Sequence, residues 1–363
     1  SSLALTIAMD ETGTFDPAYM SESQRYQVQS CLRTAARFGI ADRVLLSQDY
    51  HEFYRVCVDK DREQAWAQGL QSRLYGAYCK LRLAKLRRDC DDRKDVAALR
   101  HIDAICADGC SVWLRGIPAR HTMEMSDDVY VHACRLRLNL PFFDIMPATC
   151  PKCGVSIAHD QQHIYNCPRL CKNTRNNRHE SIVHTLLIKA TEANILVCKN
   201  LSHLFVNGSE QRPDLQIGYR NATDTLVDVM VTNDTRASED SRTAAAVRDK
   251  AAAEKRARYA AMCAAHGMSF TPFIVSIHGA CGKEAQELMR DMAVHAVNHG
   301  SSRISDYGEF MSEVRMEVAV RIQVGTYEIG KRAMMTCLHD SNRHAARVTN
   351  SSSSSSSASR RAR

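Results

Sequence analysis

The chain has 363 residues, 44% of them hydrophobic, 25% charged and 6% aromatic, with 48 Lys plus Arg against 41 Asp plus Glu and a formal net charge of +7. Its length fits two or three domains of about 100 to 200 residues, its apolar fraction can fill a core, and no run approaches the roughly 18 apolar residues of a membrane span. Fifteen cysteines, an odd number scattered from Cys31 to Cys337, argue against a small disulfide scaffold and for an intracellular reducing compartment.

The opening segment Ser1 to Ala8 lacks the basic and long apolar regions of a secretory signal, and the chain reads as a piece of something longer. Residues 1–145 are predicted to be a helical linker region. Gln24 to Phe38, His51 to Asp59 and Arg62 to Cys90 repeat apolar residues at three and four, with Gly39 and Gly69 as punctuation. Eight Lys or Arg lie between Arg73 and Lys94 against Asp89, Asp91 and Asp92. Such a stretch is either a solvated helix face or a phosphate-tracking surface.

Residues 149–173 hold four of the fifteen cysteines. Cys150, Cys153, His163 and Cys167 form Cys-x2-Cys-x9-His-x3-Cys. A Cys-x2-Cys turn presents two thiolates from one tight loop and His-x3-Cys presents two more ligands from a helical turn, the set that a tetrahedral structural Zn²⁺ takes. Gly154 lets the backbone turn back, and His159 and Cys171 are spare candidates. Around this knuckle Arg169, Lys172, Arg175 and Arg178 occur with no acid among them from Gln161 to His179, which points to nucleic-acid backbone as a partner.

From 175 to 300 the pattern predicts helix Arg178 to Asn194, strands Ile195 to Cys198, Arg212 to Tyr219 and Thr225 to Val231, helix Asp240 to His266, strand Thr271 to Ile277 and helix Lys283 to Asn298. The order is α-β-β-β-α-β, a small mixed α/β domain. Pro213-Asp214 opens one strand and Asp228 sits in the next, within Leu226-Val227-Asp228-Val229-Met230-Val231. Two adjacent strands can set two carboxylates side by side, and two hard oxygen donors, with water and phosphate, suit a catalytic Mg²⁺. An Asp in an otherwise apolar strand is costly unless a cation offsets it. Such chemistry also uses a Lys near the metal, for which the following helix offers Lys250 and Lys255, with Tyr259 one turn beyond Lys255. Residues 301–345 form a C-terminal extension whose weak alternation assigns no type. Residues 346–363, with seven serines at 351 to 357 and arginines at 360, 361 and 363, are predicted to be a disordered Ser/Arg tail.

Taken together these residues resemble the restriction-like endonuclease region that follows the reverse transcriptase in site-specific non-LTR retrotransposons. The likeness rests on the Cys150, Cys153, His163, Cys167 knuckle, then Arg178-His179, Arg212-Pro213-Asp214, Asp228 after thirteen intervening residues, and Lys255 with Tyr259. Upstream, Trp113-Leu114-Arg115-Gly116-Ile117-Pro118 and Arg135-Leu136-Arg137-Leu138 look like the segments that precede the knuckle in related elements. The resemblance covers roughly residues 110 to 280. It implies a restriction-endonuclease-like αβββαβ core and a nuclear protein that nicks one strand of target DNA with Mg²⁺ to prime reverse transcription of element RNA. Asp214 and Asp228 would be the metal ligands and Lys255 or Lys250 the catalytic Lys. Met230 stands where many related nucleases carry Lys, and the usual Glu is not evident in Cys198-Lys199-Asn200-Leu201. Met125-Ser126-Asp127-Asp128 is not a polymerase motif, so no polymerase domain is expected. The alternative from another class is a catalytically inactive zinc-knuckle protein that binds nucleic acid, a decayed retroelement fragment; a third reading is a purely structural zinc-stabilised domain.

Overall fold

The computed structural model describes residues 79–358, apart from 81, 119, 143–147, 151, 158–160, 200, 202–211, 220–222, 237–242 and 300–305, and apart from the side chains of 115, 171, 172 and those beyond 339. The chain divides after Asp95 into two units. In the first, residues 82–92 are helical with Lys85, Arg87 and Arg88 exposed, which both alternatives of the sequence reading require; the other helices expected before residue 79 lie outside the described residues.

The second unit is organised by one strand. In Thr225–Thr232 (β3), alternation sends Leu226, Asp228 and Met230 to one side and Val227 and Val229 to the other, where they are buried. Around it a four-stranded sheet forms in the order β1 (Leu196–Cys198), β2 (Leu215–Gly218), β3, β4 (Ser269–Ser276). β1–β2 and β2–β3 are antiparallel, whereas β3–β4 is parallel, with Asp228 opposite Pro272. Proline donates no ladder hydrogen bond, and β4 tolerates it as the outermost strand of this sheet.

Seven helices and one 3₁₀ turn are named in the second unit besides the short His163–Asn166 helix (α4): α1 Val96–Cys106, α2 Val112–Arg115, the turn His121–Met123, α3 Asp127–Arg137, α5 Pro168–Glu192, α6 Ala244–His266, α7 Lys283–His299 and α8 Tyr307–Ala358. The valine face of β3 packs on Ile182, Val183 and Leu186 of α5, Leu288, Met289 and Met292 of α7, and Phe310, Val314 and Val318 of α8. The opposite face is covered by α6, which connects β3 to β4 as the crossover of a parallel pair. There Ala251 and Ala252 pack on Met230 and Ile274, and Tyr259 and Cys263 on Leu226. Thr243 caps α6 by accepting from the Ala246 amide at 3.2 Å, and Gly267, at φ +62°, closes it in the left-handed conformation.

The α-β-β-β-α-β order follows the one expected from the sequence, with element ends shifted by a few residues, and three differences are larger. Helix α5 begins at Pro168, ten residues before the predicted Arg178, so no linker separates the knuckle from the α/β domain; Pro168 at the first helical position has the φ and the missing N–H that a helix start accepts. The untyped residues after 301 contribute α8, whose apolar side chains are divided among three hydrophobic clusters. A helix that touches several partners has no single apolar stripe to read. Residues 346–358, expected to be disordered, continue α8, since propagation adds one hydrogen bond per residue to a helix already nucleated. Asp127 and Asp128 occupy the first turn of α3.

Candidate functional site

The knuckle brings its four predicted ligands together. Cys150, Cys153, His163 and Cys167 offer ligand atoms that all lie within 4.8 Å of one another. The Cys150 and Cys153 sulfurs each stand 3.9 Å from the Cys167 sulfur, and Cys153 Sγ is 3.1 Å from His163 Nε2. With Zn–S of about 2.3 Å, a tetrahedron has an S···S edge of about 3.8 Å, so the spacing suits one zinc and excludes a disulfide. Locally, Gly154 at φ +75° reverses the chain and donates to the Cys150 carbonyl at 2.8 Å, and a Thr149–Ser156 bridge closes the loop. His163 starts α4, and Cys167 is the N-cap of α5. This group can hold a metal ion and its donors are compatible with zinc. His159 lies outside the described residues, as does the side chain of Cys171.

The knuckle is not free-standing. Ile157, Ile164 and Tyr165 are fully or almost fully buried against Leu136, Phe142, Ile277, Ile329 and Ala333. Of its predicted basic contacts, Arg178 is drawn inward. Arg169 is exposed but donates to the Lys152 carbonyl at 3.2 Å, and Arg175 donates to the Asn166 carbonyl at 3.4 Å. Arg178, expected at a nucleic-acid surface, is only 5% exposed and donates to Thr326 Oγ1 at 3.1 Å. Its stem lies where a Cβ on Gly325 would fall, 2.4 Å from Arg178 Cγ, so glycine is what lets α5 approach α8. The Lys172 side chain lies outside the described residues.

Asp214 stands just before β2, and its charge is felt by Asp228 of β3. The pairing of Leu215 with Val227 leaves Asp214 one step beyond, beside Asp228, and the Asp214 amide donates to the Val227 carbonyl at 2.9 Å. Asp214 Oδ2 accepts from the Val229 amide at 2.7 Å and from His179 Nε2 at 3.0 Å. The same His179 nitrogen lies 3.1 Å from the Val229 carbonyl. Both neighbours only accept, so Nε2 carries a proton. On the other side of the ring, Nδ1 is 3.5 Å from Glu180 Oε1. Burial works against a charged imidazole, yet the Asp214 hydrogen bond and the charges of Asp214, Glu180 and Asp228 together raise the His179 pKa.

Asp228 is only 4% exposed. Its Oδ1 accepts from the Tyr259 hydroxyl at 2.9 Å, and its Oδ2 is ion-paired with Lys255. Burial raises its pKa; Lys255 and Tyr259 oppose that rise, while the Asp214 charge adds to it. Tyr259 is held as a phenol, its pKa raised by burial and then by Asp228. Lys255 and Tyr259 share a face of α6, one turn apart, and both reach β3.

Lys250, the other predicted lysine, does not join them. It sits at 3.8 Å from Glu254 and lines a separate cavity with Met230 and Asn233. It lies five positions before Lys255, which on a helix turns it away from Asp228. Glu180 went unseen in the sequence. It follows His179 on α5 and pairs with Lys199 at 2.6 Å, a contact between elements that no local motif announces.

No family model matches this chain, and no curated protein matches it.

Proposed function

We propose that the chain is a metal-dependent DNA endonuclease module of a retroelement protein, anchored by a structural Zn²⁺ at Cys150, Cys153, His163 and Cys167. The observation that carries this reading is buried Asp228 of β3 held by Lys255 and Tyr259 of α6, with the charge of Asp214, just before β2, near enough to raise the Asp228 pKa. Asp214 uses Oδ2 for the Val229 and His179 hydrogen bonds, which leaves Oδ1 for a cation. With Asp228 this makes two hard oxygen donors, and water and phosphate complete a Mg²⁺ octahedron. When bound, that ion lowers the pKa of its water and neutralises charge on the scissile phosphate.

The protein residues then have distinct tasks. His179 and the Val229 amide fix the orientation of Asp214. Tyr259, kept protonated, fixes Asp228 through Oδ1. Lys255, ion-paired with Asp228, is the cation that would stabilise negative charge developing on a phosphate held there. The substrate of this reading is a DNA strand whose nick leaves a 3′ hydroxyl to prime reverse transcription of element RNA, in the nucleus.

The same ion pair also favours a second reading, a zinc-knuckle nucleic-acid-binding protein without catalysis, because both Asp228 oxygens already have partners. Nicking of supercoiled DNA separates the two. Wild type should nick with Mg²⁺ and not with EDTA, and Asp228→Ala should abolish nicking while retaining DNA affinity. Equal nicking by both proteins, or none by wild type with any divalent metal, leaves the binding reading in its place.

A further inference from the structure

The three cysteines of the knuckle are not equally accessible. Cys150 and Cys167 are each 1% exposed and sit in the hydrophobic cluster with Ile157, Ile164 and Tyr165, whereas Cys153 is exposed. The loop around it, from Lys152 to Val155, is exposed as well. Arg169, in the first turn of α5, donates to the Lys152 carbonyl at 3.2 Å and so sets a cation beside this thiol. Metal ligation keeps a cysteine in its thiolate form, the form that oxidants attack, and attack concentrates where a thiolate is exposed beside positive charge.

A second thiol stands behind the exposed one. Cys167 Sγ lies 3.9 Å from Cys153 Sγ. A disulfide bond is about 2.05 Å long, so the two sulfurs need about 2 Å of travel to join. The movable partner is Cys153: Cys167 is fixed as the N-cap of α5, while a Cβ built at neighbouring Gly154 meets nothing within 4 Å, which leaves the loop tip open space. Cys150 rides on the same loop, its carbonyl accepting from the Gly154 amide and its amide donating to the Val155 carbonyl, both at 2.8 Å. Loop motion therefore carries Cys153 onto Cys167 and not onto Cys150.

We propose that the knuckle is a peroxide-sensitive switch in which Cys153 is the point of attack and Cys167 the resolving thiol; this rests on zinc filling the knuckle and not on the nuclease chemistry. The Cys153 thiolate attacks one oxygen of hydrogen peroxide, the O–O bond breaks, and a sulfenic acid forms as hydroxide leaves. The Cys167 thiolate then attacks the Cys153 sulfur, the S–S bond forms, the S–O bond breaks and a second hydroxide leaves. Two thiolates have given up two electrons, peroxide has taken them, and each hydroxide gains a proton to become water. Zinc thereby loses two of its four donors and departs. Because Cys167 caps α5, the start of that helix loosens with it. A dithiol reductant reopens the bridge by exchange, and the site takes zinc again.

The test uses the full reduced chain, with zinc measured before and after treatment with hydrogen peroxide. Zinc release, read with a coloured chelator, should keep pace with a Cys153–Cys167 disulfide found by peptide mapping, and hydrogen exchange over 168–179 should rise. Dithiothreitol with added Zn²⁺ should reverse all of these. Cys153→His keeps a zinc donor and removes the exposed thiol, so its zinc should leave about tenfold more slowly or slower still; the wild-type mapping decides the matter even where that variant binds zinc weakly. Equal release from wild type and Cys153→His, or a bridge that spares Cys153 or Cys167, overturns the switch. A zinc-loaded chain that forms no bridge removes the switch alone. A reduced chain that holds no zinc yet forms the Cys153–Cys167 bridge removes the zinc reading and leaves the thiol pair as the switch.

Discussion

Lys250 and Lys255 differ by five positions on α6, and that difference separates their chemistry. Lys255 reaches Asp228 on β3, while Lys250 reaches Glu254 and the neighbouring cavity. On the proposed nuclease reading, Lys255→Ala should therefore lower the rate of nicking about a hundredfold at saturating DNA, as expected for one positioned electrostatic group. Lys250→Ala, away from Asp228, should leave that saturated rate near wild type. Single-turnover nicking at saturating protein separates the two effects, and a silent Lys255→Ala would remove this residue from the chemistry. Asp228 and the four knuckle residues were legible in the sequence because each broke a local pattern: a charge in a valine run, and thiols at metal spacing. Glu180 broke none. An acid on a helix is ordinary until the fold gives it neighbours.

Helix α5 joins the two sites, since Cys167 caps its start and His179 stands on its middle. Metal loss should therefore propagate along it. Because the knuckle shares its core with Leu136, Ile277 and Ile329, chelation is expected to loosen residues 149–175 without unfolding the sheet. Hydrogen exchange with and without a zinc chelator checks this, and a Cys150→Ser variant that kept full zinc and full protection would contradict it. Further along, fully buried Lys189 pairs with Glu192 at 3.0 Å and with Glu313 of α8 at 2.9 Å, with Glu317 at 3.6 Å. Arg120 also reaches Glu313, at 3.0 Å. Lys189→Met should destabilise the protein by about 3 to 5 kcal/mol in urea unfolding, because it leaves carboxylates packed together without their central cation. Little change would mean that Arg120 suffices to hold them.

For the whole molecule, buried histidines set the response to acid. Burial lowers the pKa of His132 to about 4, helped by the charge of Arg135. Burial likewise lowers His101, with an adverse charge from Arg137, and lowers His278 well below its usual value. Below about pH 6.5 the unfolded chain binds protons at these positions and the folded chain does not, so stability is full above that pH and falls as the pH drops toward 4. His132 alone accounts for a loss of up to about 3 kcal/mol. His179, whose folded pKa is raised, gains its proton on folding and partly opposes the trend. Urea unfolding across this range should show the decline, and His132→Phe should flatten it; an unchanged slope in that variant would falsify the assignment to His132.

By itself the sequence determined the α-β-β-β-α-β order, the knuckle's Cys/His cluster and the Asp228 position, because periodicity, turn residues and metal spacing are local properties written within a few residues of one another. It did not determine that α5 starts inside the knuckle, that α8 spans 307–358 and braces three clusters, or that Arg178 turns inward to Thr326. Nor did it choose between Lys250 and Lys255. Those outcomes depend on which faces meet. Helix α6 could be laid across β3 in several rotations with its alanines still buried, and only the close packing of Ala251, Ala252 and Tyr259 on this sheet brings one lysine to Asp228 and the other to a separate cavity.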